Sequence, residues 1–359
     1  MNWLRFVVII VASVGMSACA SIEYYWQAIH GHTAILNREQ PIKEILAKPD
    51  LDPELRQVLE GMQQARDFAS HELALPDNDS YRVYADIERE YVIWNVIATD
   101  EFSVTPQQWC FPFAGCVSYR GFFNKADAQE FASQLRQQGK DVYVAGARAY
   151  STLGWFDDPL LSTMLYQDEA LRVGVLFHEL AHQQLYIQND SAFNEAFATA
   201  IAQEGVRRWF LHSGNSEAYK AYVLADKRRA EFNRLLQHTR KRLRQVYSET
   251  QDKTELLQQK QQIFAELQQA YVKLKQSQWN NDKRYDKWMA QPLNNAHLAL
   301  AATYHELVPA FQKQLENVQS DLPEFYKQMK QLAALSNTER HARLTNLVMQ
   351  QNLSQAPVK

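Results

Sequence analysis

The chain has 359 residues, 46% hydrophobic and 12% aromatic, with a formal net charge of −3. That length and apolar content are enough for a sizeable buried core and exclude wholesale disorder, while the near-neutral charge lacks the basic field that a nucleic-acid partner requires. Three cysteines are too few for a disulfide scaffold, and their odd number calls for more than one use.

Residues 1–18 read as an export signal. Arg5 supplies a positive start, Phe6 to Val14 a short apolar run, and Gly15-Met16-Ser17-Ala18 a small-residue approach to Cys19. The run is too short to span a bilayer. Met16-Ser17-Ala18-Cys19 resembles a bacterial lipobox, which implies a lipid on Cys19; an ordinary cleaved signal with an incidental cysteine is the alternative. Several acyl chains, at about 0.8 kcal/mol per buried methylene, would hold the protein at a membrane. Ala20 after the cysteine resembles the outer-membrane sorting pattern, so the expected location is the cell envelope, anchored in the outer membrane and facing the periplasm.

Residues 20–80 carry a helical pattern, with Ile35, Ile42, Ile45, Leu46, Leu55, Val58, Leu59 and Met62 spaced in threes and fours and Pro41, Pro49 and Pro53 as punctuation. From Tyr81 the period shifts toward two. Tyr81 to Ile87, Tyr91 to Ala98 and Val117 to Phe123 read as strands, Lys125 to Gln138 as a helix stopped by Gly139, and Asp141 to Arg148 as a further strand. This order predicts a small, largely antiparallel sheet of the α+β class within a core over residues 81–215. Cys110 and Cys116 enclose five residues, and in an exported protein that spacing predicts a disulfide; a metal site is the alternative, without a histidine close by in sequence.

The chain has only 11 glycines, none after Gly214, and no proline between Gly214 and Pro292. Residues 216–359 are therefore expected to be helical, with a long hairpin over about 225–288 that turns near Ser248 to Thr254. Leu235, Leu243, Val246, Leu256, Ile263, Leu267, Tyr271 and Leu274 would line its seam. Its basic face is either a contact for an anionic surface or a solvated helical face.

The sharpest motif is His178-Glu179-Leu180-Ala181-His182, an HExxH pattern inside an apolar-periodic run from Leu171 to Tyr186. Two histidines four apart share one helical face within reach of a single zinc ion, and the glutamate between them lies beside the metal's water. Two ordinary helix histidines are the bland alternative. Gly174, one turn earlier on the same face, would let another segment approach. A zinc site needs a third protein ligand. His182 is followed by Gln183-Gln184-Leu185-Tyr186, with no histidine at the metzincin spacing. A second helix from Ser191 to about Leu211 offers Glu195 and Glu204. Nine residues at about 100° each place these on opposite faces, so only one can meet the metal. Glu195 shares its face with the small residues Ala198, Thr199 and Ala202 and is favoured as the ligand.

The Asn194-Glu195-Ala196 core resembles the glutamate-ligand helix of the gluzincin peptidases. Only twelve residues separate His182 from Glu195, and Thr199 stands where those enzymes often carry an aspartate, so the intervening loop must be compact and support for the histidines must come from elsewhere. A wider set of segments is similar to the bacterial predicted aminopeptidases, a family of exported zinc peptidases. These are Trp109-Cys110-Phe111-Pro112 with Ala114-Gly115-Cys116, Tyr119-Arg120-Gly121, Tyr150 to Pro159, the helix with His178 and His182, and Phe193-Asn194-Glu195. The resemblance runs from about residue 20 to about 315. It implies a zincin-like fold, predominantly helical, one zinc ion per chain held by His178, His182 and Glu195, and a peptide substrate.

On that reading Glu179 is the general base, and Tyr304 or His305 is the candidate donor to the developing oxyanion; the alternative has Tyr304 packed and His305 exposed. Asn294 and Asn295 are a second candidate pair. The segment Gly146 to Gly154 is expected to act as an edge strand that aligns an extended peptide, with Arg148 for a carboxylate and Asp157 or Asp158 for a free amino terminus, unless that loop only caps the next helix. Aminopeptidase activity is the leading expectation. An endopeptidase on the same scaffold and a non-catalytic envelope lipoprotein that uses the fold as a binding module are the alternatives.

Overall fold

The computed structural model describes residue 24 and residues 26–354, apart from 112–114, 150, 153–155 and 166–167. Cys19 and the signal segment lie outside the described residues.

A helix over residues 26–36 (α1) leads into strand β1 (Glu39–Pro41), the short α2 (Ile42–Leu46) and α3 (Pro53–His71). Asp52 starts α3 by accepting the Leu55 N–H, and Pro53 at its first turn needs no hydrogen bond there. Strand β2 (Val83–Ala85) is shorter than the expected Tyr81 to Ile87 run. Tyr81 and Glu88, at φ 67° and 52°, sit in the left-handed region and break the extended chain on both sides. The strand expected over Val117 to Phe123 is likewise divided, between β5 (Gly115–Val117) and β6 (Arg120–Phe122).

The main sheet sets β3 (Ile93–Thr99) between β6 and β7 (Asp141–Ala147), antiparallel to both, with Trp94 opposite Phe122 and Val96 opposite Val144. Strand β7 is therefore an edge. Helix α4 (Lys125–Gln137), capped by Asn124 and followed by Gly139 at φ 78°, covers one face. Alternation does the sorting: Val96 and Ala98 bury against Ala128, Ala132 and Leu135 of α4, whereas Ile97 between them points to the other face and meets Ala296 and Ala299 of α11 (Asn295–His305). A second sheet pairs β2 antiparallel with β1 and parallel with β8 (Leu160–Leu161). Strands β4 (Trp109–Phe111) and β5 form a hairpin in which Cys110 faces Cys116, and a disulfide joins them.

After the short α5 (Ser162–Leu165), Asp168 caps α6 (Glu169–Gln184) and Asp190 caps α7 (Ser191–Ser213), which ends at Gly214 in the left-handed conformation its lack of a side chain permits. Helices α8 (Ser216–Glu249) and α9 (Lys253–Gln278) form a hairpin that turns over residues 250–252, with Leu236, Leu243, Ile263, Leu267 and Tyr271 buried along its seam. After α10 (Asp286–Met289) and α11 come α12 (Val308–Asn317), α13 (Leu322–Ala333) and α14 (Asn337–Ser354). The fold is α+β and predominantly helical, with small sheets. Among the described residues, no helix is long and apolar enough to cross a membrane.

The largest core joins residues 35–92 and 307–347 around α6 and α7. Phe68 of α3, Phe177 of α6, Phe193 and Phe197 of α7, Phe311 of α12 and Phe325 of α13 all bury in it. The close approach expected at Gly174 lies elsewhere. A Cβ on Gly174 would come no nearer than 3.4 Å, to Val206, whereas one on Gly205 of α7 would stand 2.6 Å from the Phe177 ring. Gly205, facing α6, is what lets these two helices close on each other.

Candidate active site

Helix α6 buries Val173, Leu176, Phe177, Leu180 and Ala181, which orients the remaining arc with His178, Glu179 and His182 toward a cavity of about 640 Å³. Helix α7 crosses beside it and delivers Glu195. The loop between them is compact because Asn194 clamps it: its Oδ1 accepts the Ile187 N–H and its Nδ2 donates to the Ile187 carbonyl, both at 2.8 Å. Asn189, left-handed at φ 65°, uses its Oδ1 to accept the Cys116 N–H at 2.7 Å. The disulfide hairpin is thus tied to the loop that carries the carboxylate.

His178, His182 and Glu195 each offer a ligand atom within 4.8 Å of the others. The Nε2 atoms of the histidines stand 3.1 Å apart, and Glu195 Oε2 lies 3.2 Å from His178 Nε2 and 3.7 Å from His182 Nε2. Two donor atoms that share a tetrahedral zinc at about 2.0–2.1 Å stand roughly 3.3 Å apart, so these three fit a metal ion with the donor set of two imidazoles and a carboxylate. Burial would raise the Glu195 pKa, but hydrogen bonds and charge from His178 and His182 outweigh it and hold the carboxyl at about 2, the anionic form a ligand needs. Nδ1 of His182 is buried and has no hydrogen-bond partner among the described residues. Glu204 is turned away and accepts from both Arg207 and Arg208.

Burial pushes the Glu179 carboxyl up to about 7; His178 opposes the shift, and Glu195 and Asp158 add to it. A carboxyl with that proton affinity exchanges a proton readily near neutral pH. Tyr304 and His305, at the end of α11, both line the cavity. Burial and the charges of Glu195 and Glu179 raise the Tyr304 phenol well above its ordinary value, so it keeps its proton. Burial, with Arg229 nearby, brings His305 down to about 4 and leaves it neutral. Tyr119 has the same setting as Tyr304, raised by burial and by Glu195, Tyr186 and Glu179. Sequence reasoning assigned Tyr119 no role; the signal available was its place in the Tyr119-Arg120-Gly121 segment.

The remaining candidates are spread out. Arg148 lines the cavity, as do Ala147, Ala149 and Ser151 where the chain leaves β7, but its guanidinium pairs with Glu90 at 3.2 Å and lies over the Tyr91 ring. Asp157 is exposed and outside the cavity lining. Asp158 is buried, accepting from the Ser151 hydroxyl and the Thr152 N–H, and so closes its own loop. Asn294 caps α11, and Asn295 is bonded to the Glu101 carbonyl, the Asp141 carboxylate and the Tyr247 hydroxyl, away from the histidines.

A family model described as "Putative aminopeptidase" matches residues 23–344. The chain belongs to this family. The matched span includes every described residue that lines the cavity, from Tyr24 to His305, and a peptide is the substrate the family description carries. No curated protein and no solved structure matches the chain.

Proposed function

We propose that the protein is a zinc metallopeptidase of zincin type with a gluzincin ligand set, cleaving residues from the amino terminus of peptides. The observation that carries the reading is the convergence of His178, His182 and Glu195 beside Glu179 in a cavity large enough for several side chains. Zinc bound there would supply a Lewis acid that makes water acidic and polarises a carbonyl. Glu179 takes the proton from the attacking water and delivers it to the leaving nitrogen, a transfer suited to a carboxyl near 7. The protonated phenols of Tyr119 and Tyr304 donate to the oxygen on which charge develops. The chain leaving β7, an edge without a further strand among the described residues, aligns the substrate backbone.

One observation favours an endopeptidase as the second reading: among the described lining residues the only acids are Glu179 and Glu195, which leaves no separate carboxylate to hold a free amine. The same proposal places the enzyme in the cell envelope with a lipid on Cys19.

The test is metal analysis together with hydrolysis of free and N-blocked peptides. Wild type should retain one zinc, Glu179→Gln should retain zinc and lose about 10²–10⁴-fold in kcat, and Glu195→Ala but not Glu204→Ala should lose zinc. Equal cleavage of blocked and free peptides would replace the aminopeptidase reading with the endopeptidase one, and wild type without zinc would leave a binding module.

A further inference from the structure

Helix α1 has two unlike faces. Its inner face is built into the fold: Gln27 donates to the Gly121 carbonyl and accepts the Phe123 N–H, Ile35 is buried, and Gly31 lies so close to Phe123 that a Cβ there would fall 2.1 Å from the ring. Tyr24 and Ala28, from the same segment, line the cavity that holds His178 and His182. The outer face is open and free of Lys, Arg, Asp and Glu, with large apolar side chains beside the exposed His30 and Thr33. Trp26 is 62% exposed, Ile29 60% and Leu36 39%, and Phe156, 61% exposed, approaches α1 through its ring contact with His32. No Lys, Arg, Asp or Glu occurs from residue 24 to residue 37. A helix that shows tryptophan, isoleucine and leucine to solvent without one charged residue departs from an ordinary solvated surface.

We infer that the outer face of α1, with Phe156, docks on a lipid bilayer, holding the α1 wall of the cavity at the membrane surface. Two observations select a bilayer over a protein partner. The patch is led by a tryptophan, the side chain whose apolar body and N–H suit the level of the lipid headgroups. Cys19 of the lipobox-like segment is only seven residues before Trp26. Seven residues span at most about 25 Å, so an acyl chain on Cys19 would keep α1 beside the bilayer and turn weak apolar contacts into an intramolecular event. The inference goes beyond the peptidase reading and leans on the lipid anchor for its strength. Its consequence is that peptide chains lying at the membrane surface are the ones presented to the cavity.

The test uses the full chain reconstituted into phosphatidylcholine and phosphatidylglycerol vesicles, with acylation of Cys19 read separately by mass spectrometry. The chain has eight tryptophans, so the contribution of Trp26 is taken as the difference between wild type and Trp26→Phe. In vesicles with brominated acyl chains that contribution should fall at least about twofold, as for an indole at the interface, and it should be shielded from aqueous iodide. Ile29→Asp, whose side chain is outside the cavity lining, should remove the quenching and leave hydrolysis of soluble peptides unchanged. Trp26 that stays open to iodide and unquenched on vesicle-bound, acylated protein would overturn the inference, as would a chain held by its lipid alone with no effect of Ile29→Asp. Shielding of Trp26 without vesicles, accompanied by a doubled mass in solution, would overturn it in favour of a second copy. Quenching of Trp26 in protein without acyl chains on Cys19 would uphold the docking face while removing the anchor.

Discussion

Replacing Gly205 by alanine tests how the helix with His178 and His182 and the helix with Glu195 are held together. The added Cβ would lie 2.6 Å from Phe177 Cδ2, 3.2 Å from its Cγ and 2.9 Å from Leu73 Cδ1. Carbon atoms in ordinary contact stand about 3.5–4.0 Å apart, so the overlap is about 1 Å and falls on a ring with no exposed surface to move into. Forcing one methyl into such packing costs about 1–3 kcal/mol. Alanine in place of a helical glycine returns about 1 kcal/mol. Gly174→Ala receives the same return with no overlap, because its Cβ would meet only Val206 at 3.4 Å. The propensity gain cancels in the comparison, and Gly205→Ala should be less stable than Gly174→Ala by about 1–3 kcal/mol. Parallel urea unfolding of the two metal-free variants measures that gap. Phe177 precedes His178, so pushing its ring also shifts the histidine against Glu195, and zinc competition should show weaker binding in Gly205→Ala than in Gly174→Ala. If Gly205→Ala proves as stable as Gly174→Ala, the helices are not held at the separation described and the packing argument fails.

Two further predictions concern buried ionisable groups. Asp190 caps α7 and accepts from Arg340 and His341 of α14, Arg340 itself being 4% exposed. Asp190→Asn leaves that guanidinium without its carboxylate and should cost about 3–5 kcal/mol in thermal or urea unfolding; a loss below 1 kcal/mol would show that Arg340 finds solvent. Burial raises the Asp190 pKa, but the bonds from His341 and Arg340 outweigh it and leave it lowered. The stability it adds is therefore fully present above about 3.9, the unfolded value, and is lost as pH falls through the lower folded value. Wild type should lose that increment in acid and Asp190→Asn should not. His297 behaves in the opposite chemical sense. Buried against Tyr143 at 4.0 Å, it is lowered from 6.5 to about 4. Below pH 6.5 the unfolded chain takes up a proton that the folded chain refuses, so stability falls as pH drops from 6.5 to 4, by up to about 3 kcal/mol at about 1.4 kcal/mol per pH step. His297→Gln should flatten that slope, and an unchanged slope in the variant would assign the acid loss to other groups.

The parts of the site that could be read from the sequence are those that depend on separations of a few residues. His178 and His182 share a face because they are four apart, Glu195 and Glu204 divide because nine residues turn a helix to its other side, and both results need only the helical period. The same arithmetic located α4, α6, α7 and the α8–α9 seam, whose apolar positions recur every three or four residues. It misassigned the close-packed glycine, because a period says which face a residue occupies and not what stands opposite: Gly174 and Gly205 both face the neighbouring helix, and only the placement of Phe177 and Leu73 decides between them. The ends of β2 escaped for a related reason, since Tyr81 and Glu88 are ordinary strand or surface residues whose left-handed backbone has no compositional mark.

What stayed hidden involves partners far apart in the chain. Tyr119 reaches the surroundings of Glu195 across 76 positions, Asp190 meets Arg340 across 150, and α1 becomes a wall of the cavity through Gln27 and Gly121, 94 apart. Each of these residues is unremarkable in its own segment. Their significance arises from the fold, in which α3 and α12 to α14 pack with the two helices that carry the histidines and the carboxylate. Local pattern therefore suffices to nominate the metal ligands, while the groups that would position a substrate come from the sheet, from α11 and from α1, elements joined to the site only by tertiary packing. The same division explains why Asp157 and Asp158 looked suited to a free amine. Their position after a cavity-lining strand is correct, but Ser151 and Thr152 take up Asp158 before a ligand can, and Asp157 points to solvent. A carboxylate next to a site in sequence serves the substrate only if its own loop leaves it unsatisfied, and here the loop does not.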